Sequence, residues 1–178
     1  MKAISLFALM SVVLANTLTA ETCREVVRDS SGRIVQTIDR QKQSGGTVQA
    51  TVRDASGRII STSTTRTDSG GSASTQYRDA SGRLTGSATT QPTSGSSSAS
   101  TTYRDASGRM AGSANTRTDG THTNATTQYR DASGRLTGTS NTSGNSTTER
   151  DASGRLTGTS TASGKCTAPV KVPVPPSR

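Results

Sequence analysis

Tryptophan is absent from this 178-residue chain, phenylalanine and histidine each occur once, and aromatic residues make up 2% of the whole. The single phenylalanine, Phe7, falls in an apolar N-terminal run. Hydrophobic residues reach only 28%. So little apolar material leaves two architectures, a disordered chain or a regular repeat fold that needs little core per unit. Histidine and cysteine are too few for a zinc site, since His122, Cys23 and Cys166 fall short of four ligands and lack ligand spacing. Acidic residues are scarce as well, 12 against 21 Lys and Arg, and the formal net charge is +9. The shortage of catalytic side chains argues against an enzyme. His122 lies in a Thr/Asn/Gly turn region, and the abundant serines have no base partner nearby. No cofactor is expected.

The first twenty residues read as a leader. Lys2 precedes the mostly apolar Ile4–Ala15 run, and Leu18-Thr19-Ala20 offers a cleavage site, so residues 1–20 are expected to be a signal peptide. The run is shorter than the roughly 20 residues a membrane span needs. Residues 21–166 are then the folded domain. Residues 167–178, with Pro-Val-Pro-Pro, form an extended tail. Export places Cys23 and Cys166 in an oxidising compartment, where a disulfide between them is the default. The expected location is secreted or cell-surface, with the periplasm as the alternative.

What the chain has in abundance is one hexapeptide. Arg-Asp-Ala-Ser-Gly-Arg begins at Arg53, Arg78, Arg104, Arg130 and Arg150, with a Ser-for-Ala version at Arg28. The spacings are 25, 25, 26, 26 and 20 residues. A fixed period of this kind means one structural unit copied six times, and it decides for the repeat fold over disorder. Asp and Ser can bond the local backbone of a turn and Gly supplies positive φ, so each copy reads as a β-hairpin. Looser turns such as Gln43–Gly46, Asp68–Gly71 and Ser143-Gly144 lie between the copies. The fold class is therefore all-β, an antiparallel meander of about 12 strands, curled, spiralled or closed. The short last copy suits a terminal cap.

Register follows from side chains. A four-residue Asp-Ala-Ser-Gly loop sets the flanking arginines face to face and pairs Tyr77 with Leu84, Thr75 with Gly86 and Ala73 with Ala88. The apolar face then consists of the tyrosines at 77, 103 and 129 with Ile34, Ile59, Leu84, Met110, Leu136 and Leu156. A three-residue loop opposing Asp79 to Arg83 ranks second, because it separates Tyr77 from Leu84. Gly86, Gly112, Gly138 and Gly158 leave room for a ring or a curve in the sheet. An intramolecular Cys23–Cys166 bridge requires the first and last strands to meet, since an open sheet of this size holds them about 50 Å apart.

The turn Asp-Ala-Ser-Gly-Arg-Leu, at Asp79–Leu84 and Asp131–Leu136, resembles the YD repeat of Rhs-type and teneurin-type proteins. In those proteins Tyr directly precedes Asp, whereas Arg separates them here, as in Tyr77-Arg78-Asp79. The resemblance implies a β-hairpin strip that spirals into a shell, of the kind used in toxin delivery and cell-surface adhesion. Six copies are too few for a toxin-holding shell.

Two arginines flank each turn: Arg28 and Arg33, Arg53 and Arg58, Arg78 and Arg83, Arg104 and Arg109, Arg130 and Arg135, Arg150 and Arg155. Guanidinium forks bind carboxylate, phosphate and sulfate, and a repeated stripe makes weak sites multivalent. The competing reading is an Arg–Asp ladder that ties hairpins together. On the first reading the protein is an adhesin-like surface or matrix module facing acidic glycan, lipopolysaccharide or another surface component. The alternative is a self-assembling fibre or matrix component built through exposed strand edges. Specific nucleic-acid binding is not expected, since this face lacks interleaved aromatics. Thr and Ser rows also invite an ice-binding reading, but they lack a strict Thr-x-Thr in every copy.

Overall fold

The computed structural model describes residues 21–93, 97–119 and 123–164. The leader, the tail, His122 and Cys166 lie outside these described residues. The strands are β1 (Thr22–Asp29), β2 (Ile34–Lys42), β3 (Thr47–Asp54), β4 (Ile59–Thr67), β5 (Ala73–Asp79) and β6 (Leu84–Pro92). They continue as β7 (Ser98–Asp105), β8 (Met110–Thr118), β9 (Asn124–Asp131), β10 (Leu136–Ser143), β11 (Ser146–Asp151) and β12 (Leu156–Gly164). One 3-10 turn, Ser44–Gly46, interrupts the pattern.

Every strand pairs antiparallel with its sequence neighbours, and β1 pairs with β12 from Cys23 opposite Gly164 to Asp29 opposite Gly158. The meander is thus a closed barrel of twelve strands. Closure satisfies the backbone groups that a free edge would expose. The six hexapeptide turns gather at one end. The looser turns and the β1/β12 chain ends gather at the other.

Each tight turn is a three-residue loop, Ala-Ser-Gly in five copies and Ser-Ser-Gly in the first, which reverses the preferred expectation. Asp79 N–H donates to Arg83 O at 3.0 Å, Gly82 N–H donates to Asp79 O at 3.0 Å, and Gly82 has φ +83°. A type I turn followed by a left-handed glycine gives this loop. The sequence then slips by one residue. Arg78 pairs with Leu84 while Tyr77 pairs with Gly86, so Thr85 is an extra residue in a bulge. The same shift follows each of the other five turns. The arginines therefore do not oppose each other. Leu84 faces outward beside Arg78 and is 42% exposed, as Ile34, Ile59 and Met110 are to similar degree. These aliphatic residues are not the inner face, although Tyr77 and the alternate residues before it are.

The interior is layered. Nearest the tight turns, after the turn aspartates, comes a ring of Val27, Val52, Tyr77, Tyr103, Tyr129 and Glu149, one from each odd strand. Next come Glu25, Ala50, Thr75, Thr101, Thr127 and Thr147. Thr65–Thr75, Thr90–Thr101, Thr116–Thr127 and Thr142–Thr147 hydroxyl pairs at 2.8–2.9 Å couple neighbouring hairpins in this layer. Buried hydroxyls paired in this way avoid the cost of lone burial. In the first hairpin the layer holds instead an Arg40–Glu25 ion pair at 2.8 Å, both side chains largely buried.

The inner glycines answer to backbone, not to rings. A Cβ on Gly86 would stand 2.5 Å from Arg104 O, and on Gly112 the same distance from Arg130 O. Gly138 and Gly158 are crowded in the same way by Arg150 O and Arg28 O. In these four copies a carbonyl of the neighbouring strand stands where a Cβ would go, and only glycine leaves it room. In the first two copies Gln36 and Ser61 occupy the same place.

Candidate functional site: the tight-turn rim

The rim is built from six copies of one hydrogen-bond pattern. In the third copy, Asp79 Oδ1 accepts from Ser81 N–H at 2.9 Å, Ser81 Oγ–H at 2.7 Å and Arg83 N–H at 2.9 Å. The other five turn aspartates, Asp29, Asp54, Asp105, Asp131 and Asp151, do the same. Donation by the Ser hydroxyl comes first among the causes that hold all six carboxyls below the usual aspartate range. Each turn carboxylate is thus committed to its own loop.

The two arginines of each copy have different work. The first donates from Nη1 to the turn glycine carbonyl: Arg28 to Gly32, Arg53 to Gly57, Arg78 to Gly82, Arg104 to Gly108, Arg130 to Gly134 and Arg150 to Gly154, all at 2.8–3.1 Å. It closes the turn from outside. The second arginine lends the turn its backbone, and its side chain stands exposed at Arg33, Arg58, Arg83, Arg109, Arg135 and Arg155. Arg58 also reaches Asp54 at 3.3 Å. The structure therefore brings all ten of the candidate arginines from Arg53 to Arg155 to one rim, but divides them by role. Among the described residues the turn aspartates do not tie one hairpin to the next, because each turns back into its own loop; Arg53 does reach Asp39 of the first hairpin, at 3.8 Å.

Behind the rim lies a cavity of about 860 Å³. Its lining includes Val27, Ile38, Tyr77, Tyr103 and Tyr129. Tyrosines on alternate strands, separated by Gly86, Ala88, Gly112 and Ala114 on the strands between, hold the bore open. Twelve strands also make a wider barrel than the eight that side chains fill. Burial pushes the Tyr77, Tyr103 and Tyr129 hydroxyls above the ordinary phenol range. Tyr129 Oη lies 3.1 Å from Ser140 Oγ. The Tyr77 hydroxyl is buried with no hydrogen-bond partner among the described residues. Sequence reasoning missed this cavity. Its signal was the Tyr-then-Gly spacing that recurs in three copies.

The chain is similar to known proteins in two respects. The model of the RHS repeat matches residues 130–165, two of the hexapeptides included, in accord with the YD-repeat resemblance of the turn sequence. No curated protein matches the chain. Among solved structures, a protein of Parabacteroides distasonis, proposed to be a lipoprotein, superposes with a TM-score of 0.42 at 12% identity. The superposition covers 81% of this chain and 94% of that one. The repeat match is compatible with a surface or extracellular repeat protein.

Proposed function

We propose that this protein is an exported surface or matrix interaction module whose tight-turn rim engages polyanions. One observation carries the reading: six exposed guanidiniums, those of Arg33, Arg58, Arg83, Arg109, Arg135 and Arg155, ring one end of a closed barrel. The turn aspartates offset part of this charge, as the Arg58–Asp54 pair at 3.3 Å does, but twelve rim arginines against six turn aspartates leave the rim positive. Acidic glycan or lipopolysaccharide phosphate suits such a ring, since each fork binds weakly and six act together. Adhesion is the role this supports. The fibre alternative is weakened by closure, because no strand edge is left unpaired for growth among the described strands.

Titration with heparin, a sulfated glycan, tests the reading. Affinity should fall steeply with salt, and binding unchanged at about 1 M salt would overturn the electrostatic mechanism. Replacing Arg83, Arg109 and Arg135 together by Ser should weaken binding at least about tenfold. The same change at Arg66 and Arg117, exposed near the opposite end, should leave it within about twofold.

A further inference from the structure

We infer that the barrel bore is a binding site for an anionic amphiphile with a hydroxylated acyl chain, its head group at the arginine rim and its chain in the cavity. This rests on the rim reading above and assigns a ligand class to the space behind it. A volume of about 860 Å³ lies within the range of small-molecule sites. The lining runs from Asp131 and Ala132 at the tight turns to Ile38 and Glu25 deeper in, so the cavity reaches the rim.

Charge sets the direction of entry. The rim carries twelve arginines against six committed aspartates. Inside, Glu149 stands in the tyrosine ring, and Glu25 is already paired to Arg40. Both carboxylates line the bore. An anionic head is attracted to the mouth, while Val27, Ile38 and the tyrosine rings accept a chain. The Tyr77 hydroxyl supplies the polar anchor. It belongs to a residue only 7% exposed, it lines the cavity, and no described side chain or carbonyl satisfies it. A buried hydroxyl in that state gains from a chain hydroxyl placed beside it.

The test uses the tyrosines as reporters. All three tyrosines of the protein line the cavity and tryptophan is absent, so intrinsic fluorescence reads the bore alone. Dodecanoate and 3-hydroxydodecanoate, titrated below their micellar range, should each change tyrosine emission saturably at one site. The hydroxy acid should bind about five- to tenfold more tightly, the value of one hydrogen bond. Tyr77→Phe should abolish that difference. Val27→Trp, which places a ring where three other copies carry Tyr, should block both acids by calorimetry and leave heparin binding intact. No emission change with either acid, or unaltered acid binding by Val27→Trp, would overturn the inference while retained heparin binding leaves the rim reading standing. Loss of heparin binding in the unsubstituted protein would overturn both.

Discussion

The two ends of this barrel are built on opposite plans. At the tight-turn end one six-residue pattern is used six times, with the same three bonds to each Asp Oδ1 and the same Arg Nη1 on each glycine carbonyl. At the other end the connections differ from one another. The β4–β5 turn begins at Asp68, whose Oδ1 accepts from Ser72 N–H at 2.8 Å. The β2–β3 connection is a 3-10 turn, and the β10–β11 connection contains Gly144 and Asn145 between paired Ser143 and Ser146. One end specifies itself locally. The other is held by what surrounds it, including the meeting of the first and last strands. Uniformity at the first end is what turns isolated arginines into a ring.

The largest expected effect lies at the irregular end. Cys23 is buried in β1 opposite Gly164, and Cys166 lies two residues beyond, outside the described residues. Two residues reach at most about 7 Å, so a bridge is within range. Non-reducing mass spectrometry should find Cys23 joined to Cys166. Cys23→Ser should then cost up to roughly 4–5 kcal/mol on the chain-entropy account of a loop this long. Reduced or intermolecular thiols would show that strand pairing alone closes this end.

Next comes the level just inside the tight turns. Gly112→Ala sets a Cβ 2.5 Å from Arg130 O and should destabilise by about 2–3 kcal/mol in urea denaturation. Ser61→Ala, at the equivalent place in the second copy, should stay within about 0.5 kcal/mol. Equal effects would mean that the Arg130 carbonyl does not exclude a Cβ at this level.

The turns themselves allow a direct comparison of the ends. Asp79→Ala removes three hydrogen bonds and Asp68→Ala removes one. Asp79→Ala should therefore lower Tm by more, by about 3–5 °C. Because the six turn carboxyls titrate below their unfolded values, their contribution is fully present above the ordinary aspartate pKa of about 4. It is lost as pH falls through the lowered folded values, so Tm should drop on acidification below about pH 4.

Alkaline pH acts on the bore. The tyrosine hydroxyls titrate above the unfolded value of about 10, so stability should hold below that pH and decline above it. Near-UV absorbance should show phenolate appearing together with unfolding. Phenolate formed first, in a folded barrel, would show a bore open enough to hydrate the rings.

Much of this was legible in the chain. The period fixed six hairpins, alternation along the odd strands placed Ala73, Thr75 and Tyr77 on one face, and the two cysteines pointed to closure. The bulge was not legible. Leu84 is apolar and stands at an inward phase if the loop has four residues, so hydrophobic pattern argued for the wrong loop. In the structure Leu84 shares the outer face with Arg78, and one extra residue, Thr85, restores the inward phase by Gly86. A slip of one residue leaves no compositional mark. The split between the arginines was hidden for a related reason, since identical residues flank the turn and only three-dimensional placement shows that Nη1 of the first closes it. The Thr layer reads as polar strand in sequence. Its inward position depends on a bore wide enough to be lined by hydroxyls in pairs.

Closure also changes what a repeat number means. In an open stack of hairpins a copy gained or lost alters length and leaves the cross-section alone. Here β1 must meet β12, so each copy is a segment of circumference. Since barrel diameter grows roughly linearly with strand number, removing one hairpin narrows the bore and draws the remaining arginines closer together. Copy number in this molecule is a calibre.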